Sequence, residues 1–210
     1  TIIESYFYAT NNDNLTCIAV DDVTYSTTNW IGIDPQTSFS EDCSAVPLTY
    51  VPDDNFEQAL IDLGYDSGSL NDYVLTANIE GLISLDISGN AIVDLTGIKD
   101  FEALENLNCS NNSLTELDVS FNTNLLNLNC SNNVLVDLDV TNNTALLTLN
   151  NSSNSISSLD LSANTNLTEL NIADNTFTNF TPSDVLALQV FNCDNNNIID
   201  LDFQQNQSLT

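Results

Sequence analysis

The sequence predicts a solenoid, a repeat protein poor in regular α/β structure and built of 21-residue coils with short parallel strands. Three observations carry this. Five segments of equal length, 104–124, 125–145, 146–166, 167–187 and 188–208, align without a gap, and a period held this way means that each coil adds one layer in the same register. Within a coil the apolar positions fall in two blocks, Leu104, Leu107 and Cys109, then Leu114, Leu117 and Val119, alternating with outward Asn108 and Asp118. That alternation predicts two short extended segments per coil. Finally, Asn90, Asn112, Asn133, Asn154, Asn175 and Asn196 recur at one phase, and Asn122, Asn143, Asn164 and Asn206 at a second. A buried amide can bridge backbone groups that a turning chain leaves without partners, which explains a column of them.

The runs LENLNCSNNSLTELDVSFNTN and LLNLNCSNNVLVDLDVTNNTA resemble the short leucine-rich repeats of secreted and cell-surface Bacteroidota proteins and, more distantly, internalin-type repeats. The resemblance covers residues 77–210. The earlier turn, 82–103, is one residue longer, and its Asp94-Leu95-Thr96-Gly97-Ile98 looks like the internalin-type variant. The resemblance implies a leucine-rich repeat solenoid that binds on its strand-lined surface.

In chain order, residues 1–43 resemble the end and C-terminal cap of a preceding array. Residues 3–12 look like a last coil, and Trp30, Ile31, Ile33 and Phe39 are apolar material to cover it, because an open solenoid end exposes edge groups and apolar surface. Residues 44–52 form a linker. Residues 53–76 resemble a helical N-terminal cap: Asp54 with Glu57 predicts a capping box, Phe56, Leu60 and Leu63 share one helical face, and Gly64 ends the helix. Residues 77–210 are the solenoid, whose second Asn column breaks at Val185 and predicts a local departure there. The chain opens without an initiator or signal peptide and stops early in a new coil, so it reads as a window of a larger protein.

The cysteines form two classes. Cys17 and Cys43 lie outside the repeat phase and could close a loop, which would stabilise by about 3–4 kcal/mol through chain entropy, with two free thiols as the alternative. The export context that the resemblance implies favours the bond. Cys109, Cys130 and Cys193 share an inward phase with Asn151 and Ile172 and behave as small buried hydrophobes.

Charge divides between two faces. The outward sites of the first segment, Asn106, Asn108, Asn127, Asn129, Thr148, Asn150, Glu169 and Asn171 with their continuation at Val190 and Asn192, are nearly neutral, and Leu126 and Leu147 stand beside them as apolar anchors. This face is the candidate binding surface, since amides hydrogen-bond without the cost of desolvating a charge. The second segment is acidic through Glu116, Asp118, Asp137, Asp139, Asp160, Asp200 and Asp202. A solvated, solubilising surface is one reading of it. The other is calcium bridging of Asp118, Asp139 and Asp160 at the ~4.8 Å strand spacing. Without calcium, stacked carboxylates should repel one another and carry raised pKa values.

One basic residue, Lys99, faces 30 acids, and there is no histidine. Binding to nucleic acid or to an anionic membrane needs Lys and Arg, no apolar run is long enough to span a membrane, and no nucleophile and base can be assembled. These observations point away from an enzyme and require no cofactor. The resemblance implies an extracellular or cell-surface recognition and adhesion module that binds a protein or glycan. The alternative is a structural spacer or filament subunit of tandem arrays that assembles with itself.

Overall fold

The computed structural model describes residues 7–12, 15, 17–35, 37–43, 47–182 and 185–209. Residues 1–6, within the expected last coil of a preceding array, and 44–46, within the expected linker, lie outside that set. So do Ser183 and Asp184. The first described stretch contains β1 (Tyr8–Ala9), β2 (Cys17–Ala19), α1 (Val23–Asn29), β3 (Gly32–Ile33) and β4 (Ser38–Ser40). β1 pairs with β3 and β2 with β4, both parallel. Asp22 caps α1 by accepting from Tyr25 N at 2.8 Å, and a disulfide joins Cys17 to Cys43. Trp30 stacks on Phe7 with centroids 5.0 Å apart and meets Phe39 edge-on at 5.7 Å. Ile31, expected to cover a coil, is instead 85% exposed in the connection between α1 and β3.

The stretch read as a linker contributes a strand to the cap: β5 (Leu48–Tyr50) pairs antiparallel with β6 (Tyr73–Leu75) around α2 (Asp54–Asp62). Two details of α2 depart from expectation. Its N-cap is Asp53, whose backbone is extended and whose Oδ1 accepts from the Asn55 and Phe56 amides at 2.9 Å. With the cap one residue earlier, Glu57 makes no capping box. It turns inward, fully buried, and accepts from the Asn71 and Asp72 amides at 2.8 and 3.0 Å. The buried face is Phe56, Ala59 and Leu60, whereas Leu63 is the C-cap and is exposed. Gly64 then takes a φ of +80°, which a residue without Cβ adopts at little cost. The Asp53 carboxylate also ties the cap to the first coil, since its Oδ2 accepts from Val93 N at 2.8 Å and Asp94 N at 3.0 Å.

After α3 (Thr76–Ile79), each coil contributes one strand: β7 (Ser84–Asp86), β8 (Asn106–Asn108), β9 (Asn127–Asn129), β10 (Thr148–Asn150), β11 (Glu169–Asn171) and β12 (Val190–Asn192). They form one six-stranded parallel sheet in sequential order with no register slip. Leu104, Leu125, Leu146, Leu167 and Leu188 are fully buried at one coil phase within a single apolar cluster. The second extended segment keeps its burial pattern at Leu117, Val119, Leu138, Val140 and Leu161 but forms no strand. Neighbouring coils meet near it through single backbone bonds such as Val134 N to Leu114 O and Ser155 N to Leu135 O. One bond per coil is too few for a ladder.

The two asparagine columns do different work. In the first, Asn133 Nδ2 donates to the carbonyls of Cys109, Cys130 and Ser131 at 3.0–3.3 Å while its Oδ1 accepts from Leu114 N at 3.0 Å. Asn112, Asn154, Asn175 and Asn196 repeat the pattern. Asn90, at the first coil, is exposed; its side chain donates to Ser88 O and its backbone N–H to Asn112 Oδ1. In the second column, Asn143 Nδ2 bridges Val119 O and Asn122 O at 2.9 Å. Asn206 likewise bridges Pro182 O and Val185 O at 3.0 Å, so Val185 supplies the backbone acceptor although it lacks the amide.

Candidate functional site

The strands make a shallow trough of about 630 Å³ on one face of the solenoid. Every sequence-nominated strand residue, Asn106, Asn108, Asn127, Asn129, Thr148, Asn150, Glu169 and Asn171, lines it. Leu126 and Leu147 do not. They precede the strands, Leu126 is half-buried, and Leu147 is 39% exposed at the margin. Val190 and Asn192, the continuation of that face, line one end of the trough, and Ser84 and Asp86, which the sequence reading omitted, line the other. Their signal was the same strand phase, displaced by one residue in the longer first coil.

Two lanes of side chains run along the trough. In the first, Thr148 Oγ1 donates to Asn127 Oδ1 and Asn127 Nδ2 donates to Asn106 Oδ1, both at 2.6 Å, a relay that links three coils. In the second, the chemistry is one-sided. The Oδ1 atoms of Asn108, Asn129, Asn150, Asn171 and Asn192 accept the backbone N–H two residues on, from Ser110, Ser131, Ser152, Ala173 and Asp194, at 3.0–3.3 Å. Where that residue is serine, its hydroxyl donates to the same oxygen at 2.8 Å. The turn takes both acceptor positions of the oxygen at Asn108, Asn129 and Asn150 and one at Asn171 and Asn192, and the lane presents amide N–H donors, one amide per coil. The Asn108 amide already meets a carboxylate, that of Asp86, whose pKa is lowered chiefly by the Ser88 hydroxyl and N–H and further by Asn108.

The acidic side corrects an expectation. Asp118, Asp139 and Asp160 have lowered, not raised, pKa values. The largest cause is the hydroxyl of Ser120, Thr141 or Ser162, followed by the N–H of the same residue, which donates at 2.9 Å in each turn. Repulsion from the next carboxylate is present at Asp118 and Asp139 but is the smallest contribution. A local hydrogen bond to an exposed carboxylate outweighs a like charge that water screens. Among the described residues no group of three or more acid or thiol side chains could hold a metal ion, so the geometry adds nothing to the calcium bridging suggested by sequence.

Within the core, Cys109 and Cys130 are free, buried thiols that donate weakly to Asn129 O and Asn150 O at 3.6 and 3.7 Å. Burial pushes Cys130 up to about 12 and Cys109 well above the usual thiol range. Asn151, at the same phase one coil on, is fully buried, and neither its Oδ1 nor its Nδ2 has a partner.

Repeat geometry, strand order and asparagine columns together define a leucine-rich repeat solenoid. The structure is similar to an internalin, InlF, from Listeria monocytogenes, with 25% identity over 76% of this chain and 48% of that one and a TM-score of 0.68. Internalin C2 from the same species has 23% identity over 77% of this chain and 73% of that one, with a TM-score of 0.65. The functional domain of InlJ from L. monocytogenes, described as including a cysteine ladder, has 30% identity over 79% of this chain and 47% of that one, with a TM-score of 0.45. The chain thus spans about half the length of the InlJ and InlF chains. No protein-family model and no curated protein sequence matches it. Among the described residues no helix is long and apolar enough to cross a membrane.

Proposed function

We propose that this chain is a non-enzymatic recognition module of an extracellular or cell-surface protein, which binds a protein or glycan along the strand face. The observation that carries the reading is the lane of amide donors, whose oxygens are engaged by the following turn and which lines an open trough. Its amides offer directional hydrogen bonds with no charge of their own to desolvate. The internalin-like neighbours support an interaction role. The parallel pairs β1–β3 and β2–β4, with the Cys17–Cys43 disulfide, support residues 1–43 as the end of an earlier array, while α2 and the six-stranded sheet support residues 53–76 as the cap of the next and residues 77–210 as its solenoid. The test is a binding titration against an extracellular ligand preparation. Substituting Asn127, Asn129 and Leu147 weakens binding, and substituting Asp118, Asp139 and Asp160 does not. The opposite pattern moves the site to the acidic face.

A further inference from the structure

We propose that the donor lane recognises an uncharged, linear β-linked polysaccharide lying along the solenoid axis, one sugar unit per coil. This rests on the strand face being the binding surface and narrows what it binds.

The lane offers one donor at each of Asn129, Asn150, Asn171 and Asn192, the Asn108 amide being turned to Asp86, in strands paired without slip. Adjacent donors are therefore about 4.8 Å apart, the strand spacing. A ligand that satisfies several of them at once must present an acceptor at that repeat. An extended polypeptide laid along the axis turns like groups to one side about every 6.8 Å, two residues at ~3.4 Å each. A polyproline II segment does so about every 9 Å. Both fall out of step within two coils. A β-1,4-linked pyranose chain advances by nearly one coil rise per unit, and each unit turns a hydroxyl or ring oxygen to either side, so every amide meets an acceptor. Charge decides between neutral and anionic chains. The molecule carries a formal net charge of −29, and the trough contains Asp86 and Glu169 with no cation among its lining residues. A polyuronate or sulfated glycan is repelled, and an uncharged one is not.

The test is titration calorimetry of the whole chain with neutral β-1,4-linked gluco-, manno- and xylo-oligosaccharides of increasing length. Affinity rises roughly two- to tenfold per added sugar, one net hydrogen bond at a time, and levels off at about four units, when the donors are used up. The combined Asn129→Asp, Asn150→Asp and Asn171→Asp variant keeps the oxygen that each turn needs and removes the donor, so binding falls roughly ten- to a thousandfold. The length series in the unsubstituted chain is decisive even where that variant folds poorly. Length-independent binding, or binding of anionic glycans alone, overturns the inference. If no glycan binds but a purified protein ligand does, and the variant abolishes it, the glycan inference fails while the strand-face reading stands. If strand-face substitutions change no interaction at all, both fail.

Discussion

Replacing Asn151 with an apolar residue stabilises the solenoid, against the usual direction of core mutations. The side chain is fully buried, and both of its polar atoms lack partners. An unsatisfied buried polar group costs about 1–3 kcal/mol, and this residue carries two. Its counterparts in the adjacent coils are Cys130 and Ile172, both fully buried, so the layer accepts an aliphatic side chain. Asn151→Ile removes the desolvation cost and loses part of the gain to imperfect packing, roughly 1–2 kcal/mol. The expected net effect is about 2 kcal/mol of added stability. Asn133→Leu is the control with opposite sign: that amide makes three donated bonds and one accepted bond, and its loss costs about 3–4 kcal/mol at about 1 kcal/mol per bond. Urea unfolding with an unchanged m-value reads both. A destabilised Asn151→Ile, with Asn133→Leu behaving as stated, would refute the reasoning by showing that the Asn151 amide is satisfied in solution.

Carboxyl NMR titration should find Asp86, Asp118, Asp139 and Asp160 protonating below the ordinary aspartate value near 3.9 and Asp66 above it, because burial, with the Glu57 charge as a smaller contribution, raises Asp66. For the four lowered groups the linked stabilisation is present above the unfolded value and is lost as pH falls through the lower folded one. Thr141→Val should bring Asp139 back up. Asp53→Ala removes four accepted amide bonds and uncouples α2 from the first coil at a cost of about 2–4 kcal/mol. Hydrogen exchange should localise the loss to the cap, and uniform loss along all coils contradicts the assignment. In thiol labelling of the native protein, Cys193, half-buried with its pKa raised by burial and by Asp194, reacts first. Cys109 and Cys130 react only on unfolding, and equal rates for all three would show the core to be open.

The sequence by itself determined the coil, its length and its inward columns. The leucine column from Leu104 to Leu188, the ladder asparagines and the strand residues of the trough from Asn106 onward could be named from a period of 21, because a solenoid makes sequence neighbours of one coil into spatial neighbours of the next, and phase is then position. What repeats in sequence was legible. What depends on which atom a side chain turns toward was not. Asp118, Asp139 and Asp160 read as a repelling stack, yet each carboxylate is held by the residue two places on. The cap was legible as an amphipathic helix, but which aspartate capped it and where Glu57 pointed were set by the β5–β6 pair and the first coil. Only the tertiary structure decided that the Asn108–Asn192 lane is a donor row. The amide has two chemically opposite ends, and the turn that follows each strand takes the oxygen and leaves the nitrogen facing the trough.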